Sequence, residues 1–102
     1  MSTFVMLTRL DSDAARSPKA LIRLEQQAME QVRKECPKVE WVSSYAALGP
    51  YDYVDVFRAG DIETATKVAT LIRAFGHAHT EIWPATEWSR FKEMVRGLPA
   101  AA

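Results

Sequence analysis

The chain has 102 residues, 48% of them hydrophobic, and its thirteen basic and thirteen acidic side chains cancel. That is one domain's worth of globular material, which excludes the disordered and fibrous classes. It also leaves no cationic excess for a nucleic-acid backbone or an anionic membrane surface. The single cysteine, Cys36, forbids an intrachain disulfide and points to a reducing, cytoplasmic setting. The apolar run at residues 4–7 lacks a basic leader and is too short to span a bilayer.

Residues 4–10 are short, apolar and β-compatible, and read as a first strand. Ser17-Pro18 then opens a helix, serine as N-cap and proline where a missing amide costs nothing. Leu21, Leu24, Ala28, Val32 and Cys36 recur at three- and four-residue steps and form its apolar stripe, with Glu25, Gln26, Glu30, Arg33 and Lys34 on the wet side. Pro37 stops the helix. Strands follow over residues 39–48 and 51–59, joined at Gly49-Pro50. Asp61 caps a second helix whose inner stripe is Ile62, Ala65, Val68, Ala69, Ile72 and Phe75, closed by Gly76. Residues 77–83 read as a fourth strand ended by Pro84. Thr86 is placed to cap a short third helix carrying Trp88, Phe91, Val95 and Leu98. Met29, Met94 and Trp88, at helical spacing, are expected in the core, and residues 99–102 form a frayed tail after a single domain of residues 1–98.

This order, βαββαβ plus a terminal helix, predicts an α+β ferredoxin-like antiparallel sheet with both main helices on one face. Alternate strand residues divide between the faces. We assign the aliphatic set (Val5, Leu7, Val42, Val54, Val56, Ile82) to the helix side. The set Phe4, Met6, Thr8, Trp41, Ser43, Tyr45, Tyr53, Asp55, Phe57, His77, His79, Glu81 and Trp83 is then bare. Its six aromatics, at ~150 Å² or more each, exceed what a monomer usually exposes. A second copy of the sheet is the simplest cover, and a terminal helix folded back over it is the alternative. Placing Tyr53 opposite Tyr45 requires a three-residue loop or a bulge near the turn; a strict two-residue loop would instead put Tyr53 on the face of Ala46.

The segment Tyr45-Ala46-Ala47-Leu48-Gly49-Pro50-Tyr51-Asp52 resembles the signature of the GYD domain family, with support from Val54-Asp55-Val56, from Gly60-Asp61-Ile62-Glu63 and from residues 76–81. The resemblance runs over roughly residues 3–95 and implies a dimeric α/β barrel without implying a reaction. His77, His79 and Trp83-Pro84 depart from the family's usual pattern.

Three constellations carry possible chemistry. His77, His79 and Glu81 alternate along one strand about 6.7 Å apart, a spacing at which a metal could be held with help from Asp55 or Tyr45; the competing reading is a hydrogen-bonded interface. His79 with Glu81 or Asp55 could form an acid–base pair beside Tyr45 or Tyr53, or these groups could satisfy one another across a dimer. Asp52 next to the turn reads first as a structural acceptor of backbone amides. The leading function is a homo-oligomeric small-molecule-binding accessory or sensing protein, holding a small aromatic or cyclic ligand between sheet and partner by Trp41, Tyr45, Tyr53 and Trp83. The alternatives are a cofactor-independent monooxygenase- or isomerase-type enzyme and a structural oligomerisation module. The sequence requires no cofactor.

Overall fold

A computed structural model describes residues 1–12 and 17–100. Its elements are β1 (Ser2–Leu10), α1 (Pro18–Glu35), β2 (Glu40–Ala46), β3 (Tyr53–Ala59), α2 (Ile62–Gly76), β4 (Ala78–Ala85) and α3 (Trp88–Arg96). The strands form one antiparallel sheet in the order β2-β3-β1-β4, the arrangement of a ferredoxin-like α+β domain. Among the described residues no helix is long and apolar enough to cross a membrane.

Local chemistry explains the helix starts. Ser17 is extended and its Oγ accepts the Ala20 amide at 3.2 Å, with Pro18 just inside α1. Asp61 does the same for α2, accepting the Thr64 amide at 2.7 Å. Cys36 ends α1, its amide bonded to the Val32 carbonyl at 2.8 Å and its side chain buried. The end of α2 differs from expectation. Gly76 is its last helical residue, facing the Ala28 methyl, and the left-handed position falls on His77 at φ 49°. His77 is therefore a helix cap and not a strand residue. β4 instead continues through Pro84, which an edge strand tolerates because no partner needs its amide.

On β1 and β3, and at Trp41, the faces are the reverse of those expected, whereas His79, Glu81 and Trp83 of β4 and Ser43 and Tyr45 of β2 lie on the open side as expected. Phe4, Met6, Phe57, Ala59 and Ala78 pack against Ala28, Val32, Ala65, Val68 and Ile72 of the helices. Phe57 is 0% exposed and stacks between Phe4 (5.6 Å, 24°) and Trp41 (5.4 Å, 11°). The large side chains thus fill the helix-covered core, while Val5, Leu7, Val54 and Val56 lie on the open side. Ile82 does not join them; it packs on the core.

Register explains why one strand mixes both sets. Ala46 pairs with Tyr53 and Tyr45 with Val54, so Tyr45 and Tyr53 lie on opposite faces. The irregularity sits further back, between Trp41 and Ser43, where Val42 is the extra residue. It turns Trp41 to the helices and Tyr45 away from them.

Two helical stripes are also corrected. Ile62 and Phe75 of α2 are exposed, and the α2 core is Ala65, Val68, Ala69 and Ile72. Trp88 and Met94 do not enter the core, because every residue of α3 is exposed and α3 packs on neither the sheet nor the main helices among the described residues. Its first turn begins at Glu87, which has no side-chain cap bond, and Thr86 does not cap it. Instead Glu87 Oε1 accepts from Arg58 Nη2 (2.8 Å) and Thr3 Oγ1 (3.2 Å), both on the open side. The radius of gyration, 16.0 Å, exceeds the ~13 Å of a rounded chain this long. Of the expected tail, residues 101 and 102 lie outside the described residues.

Candidate functional site

The Tyr51-Asp52 pair ties the β2–β3 turn to β1. Asp52 Oδ2 accepts the Leu10 amide at 2.8 Å, its own amide reaches the Thr8 carbonyl at 2.8 Å, and its carbonyl accepts the Ala47 amide at 2.8 Å. Asp52 is engaged by backbone on all three counts and holds the turn. Tyr51 donates to Glu81 Oε2 at 3.0 Å, which lifts the phenol above its ordinary range, and the Arg9 guanidinium sits 5.4 Å over its ring. Trp83 Nε1 donates to the same carboxylate oxygen at 3.2 Å. Glu81 is thus the acceptor at the centre of an open-face cluster, opposite Leu7 in the sheet, with His79 opposite Arg9.

On the other side of the sheet lies a cavity of about 310 Å³ between α1 and the strands. It opens beside the first turns of α1, where Leu21 and Leu24 are only half-buried, whereas Ala28 and Val32 further along the helix are buried in the core. The floor is buried: Met6 and Thr8 of β1, Ala28 of α1, Ile72 and Gly76 of α2, and Ala78. Leu21, Leu24 and Met29 form the helix wall, and Trp41, Ser44, Tyr53 and Asp55 the strand wall beside the β2 edge. Asp55 gives the cavity its polarity. Burial pushes its carboxyl above the usual carboxylate range, Ser44 and Trp41 beside it pull the other way, and Glu25 adds a small rise. Trp41 Nε1 donates to Ser44 Oγ at 2.7 Å, fixing the serine near the acid. Burial, with the charges of Asp52, Glu25 and Asp55, also raises the Tyr53 phenol, so it is a neutral donor at physiological pH.

The candidate residues therefore divide. Asp55, Tyr53 and Trp41 meet in the cavity. His79, Glu81 and Trp83 stand on the open face, and Tyr45 turns to that face at the cavity's edge. The expected trio of His79, Glu81 and Asp55 is split by the sheet and does not converge. His77, as a cap before β4, is out of phase with His79 and Glu81, and among the described residues no three His, Cys, Asp or Glu side chains cluster as a metal would need. Sequence reasoning did not find Thr8, Ser44, Leu24 or Glu25 as cavity residues. The i, i+3, i+4 step of Leu21, Leu24 and Glu25 shows that they share one side of α1, but not that this side stands off the sheet.

The open face bears Val5, Leu7, Val54 and Val56, framed by Tyr45 (62% exposed) and Trp83 (51%). Glu87 is bonded to this same side, so α3 extends the apolar surface, with Trp88 (69%) and Phe91 (40%) stacked at 5.2 Å. Taking ~200 Å² for each ring, these four aromatics alone leave roughly 450 Å² of apolar surface uncovered, before any aliphatic is added.

Sheet order, helix placement and the backbone-tying Tyr51-Asp52 turn define a ferredoxin-like domain with one face left open. The GYD domain model matches residues 4–95, and the chain belongs to the GYD domain family. A relative from Thermus thermophilus, the glutamine synthetase and cystathionine beta-lyase binding protein, is 31% identical over 83 residues, spanning 78% of this chain and 83% of that one. Among solved structures, TTHA0845 from Thermus thermophilus superposes with a TM-score of 0.58 at 25% identity, covering 85% of this chain and 95% of that one. FFRP-DM1 superposes with a TM-score of 0.54 at 19% identity, over 84% and 100% of the two chains, a likeness of fold alone.

Proposed function

We propose that this chain is a homodimeric accessory protein that docks on an enzyme of amino-acid metabolism. The observation that carries this reading is the uncovered apolar surface running from Val5, Val56 and Trp83 onto α3. Two copies pair through their open faces, because a two-fold contact needs only one self-complementary patch. An interface of the usual size takes about 800 Å² from each partner, and Tyr45 and Trp83 with Val5, Leu7, Val54 and Val56 between them supply part of it, leaving α3 free. The ridge of Trp88, Phe91 and Val95 on each α3 then meets the enzyme, as aromatic anchors in protein interfaces do. The relative's name, a binding protein for glutamine synthetase and cystathionine beta-lyase, supports this choice of partner class. The free, buried Cys36 supports a reducing cytoplasmic setting.

The accessory reading stands ahead of an acid–base enzyme because Asp55 lies across the sheet from His79, and the His79 and Glu81 left on one face are exposed, with Glu81 engaged by Tyr51 and Trp83. It stands ahead of a ligand clamped between sheet and partner because Trp41, Tyr53 and Asp55 turn toward the helices. The test is calorimetric titration of the purified chain into glutamine synthetase and into cystathionine beta-lyase from the same organism. Saturable binding to one of them, weakened at least about tenfold in a Trp88→Ala/Phe91→Ala variant that remains dimeric, is expected. Binding to neither enzyme, or binding that ignores α3, would overturn the proposal.

A further inference from the structure

The cavity under α1 is separate from the docking surface, since it lies on the opposite side of the sheet and is built within one chain. Two of its features are unusual for a packing defect. Thr8 is 3% exposed and lines the cavity, and its Oγ1, like that of the buried Thr80 opposite it in β4, has no hydrogen-bond partner among the described residues. A buried hydroxyl left unpaired is costly, and native structures rarely keep one without a ligand or water to meet it. Asp55, in the strand wall beside Ser44 and Trp41, faces Met6, Leu24, Ala28 and Met29 across the cavity, where a valine would pack at less cost.

Charge then selects the ligand. Among the described residues, Asp55 and Glu25 are the only ionisable groups of either sign that line the cavity apart from the phenols of Tyr45 and Tyr53, and no lysine, arginine or histidine does. The acceptors Asp55, Ser44 and Thr8 would suit a group rich in donors. A carboxylate or phosphate would face two carboxylates, with no counter-charge among the described residues that line the cavity. The rest of the wall is apolar, and Trp41 offers an aromatic face beside the acid. At ~30 Å³ per water-sized group, 310 Å³ holds roughly ten non-hydrogen atoms.

We propose that this cavity binds a small amine with a compact apolar or aromatic body, its ammonium group held by Asp55 and hydrogen-bonded by Thr8 and Ser44. The site is complete in one protomer, so it does not depend on the docking reading. Binding requires no covalent step: the ammonium pairs with the ionised Asp55, and a proton leaves the carboxyl where it was still protonated.

Calorimetry with three probes of similar size, about nine or ten non-hydrogen atoms each, tests this: phenethylamine, 2-phenylethanol and phenylacetate. Phenethylamine is expected to bind saturably, the alcohol at least about tenfold more weakly, and the carboxylate more weakly than the alcohol. Asp55→Asn is expected to lower the amine affinity at least about tenfold and to leave the alcohol within about twofold. Methyl NMR shifts caused by the amine are expected at Met6, Leu24 and Met29, in the wild type and equally in a monomeric open-face variant. The proposal is overturned if the amine does not saturate, if the carboxylate binds as well as the amine, or if Asp55→Asn leaves the amine unaffected. Amine-induced shifts at Val5 and Val56 in place of the cavity methyls would overturn it too.

Discussion

Replacing Phe57 by leucine tests which way the aromatic strand residues face. Phe57 is fully buried and stacked on both sides, against Phe4 at 5.6 Å and Trp41 at 5.4 Å. Leucine keeps an apolar body but loses both ring contacts, each worth about 0.5–1.5 kcal/mol beyond area, so the loss is about 1–3 kcal/mol. A domain of this size is stable by only about 5–15 kcal/mol, so the change is large. With a urea slope of about 1.5 kcal/mol/M, the midpoint falls by about 0.7–2 M. Urea unfolding followed by far-UV circular dichroism, at several protein concentrations, measures it. Because Phe57 packs inside its own protomer, the shift is expected to be equal at all concentrations. A variant with an unchanged midpoint but weaker self-association would place the ring against a partner and refute the face assignment.

Three other substitutions probe separate links. Asp52→Ala removes the acceptor of the Leu10 amide and is expected to cost about 1.5–3 kcal/mol in urea unfolding, as loss of a charge-assisted bond does. The Asp55 carboxyl is raised above its ordinary value of 3.8. The folded chain therefore holds more protons than the unfolded one between 3.8 and the raised value, and stability drops as pH rises through that window. Asp55→Asn is accordingly expected to raise the urea midpoint at about pH 7 and to have little effect below about pH 3.5; equal effects at both pH values would contradict the burial argument. His77→Gly relieves a left-handed position at φ 49° and is expected to stabilise by about 0.5–1 kcal/mol in thermal unfolding.

Much of the architecture was legible because its signals are local. Ser17-Pro18 and Asp61 cap helices by bonds to residues three positions on, and Pro37 and Gly60 mark breaks that any packing must respect. The faces were not legible for a physical reason. β1 reads Phe4-Val5-Met6-Leu7, apolar in both alternating sets, so a period of two carries no contrast between inside and outside. The bulge at Val42 adds a phase change inside β2 that no turn residue announces, and it separated Tyr45 from Tyr53. The cap at His77 was hidden by the glycine before it. The cavity depends on how the first turns of α1 sit over the strands, a tertiary property. Asp55 could be singled out from its strand pattern, whereas Thr8 and Ser44 looked like ordinary polar strand residues.

If two copies meet on the valine-lined side of the sheet, a charge planted there must part them. Trp83 is the place for it, being half exposed, so that a lysine leaves the core intact. Sedimentation equilibrium of the wild type beside Trp83→Lys reads the outcome. We expect the wild type to sediment as a dimer at micromolar concentration, and the lysine variant as a folded monomer with an unchanged circular dichroism spectrum. A wild type that stays monomeric at about 100 times that concentration, or a lysine variant as dimeric as the parent, would contradict it.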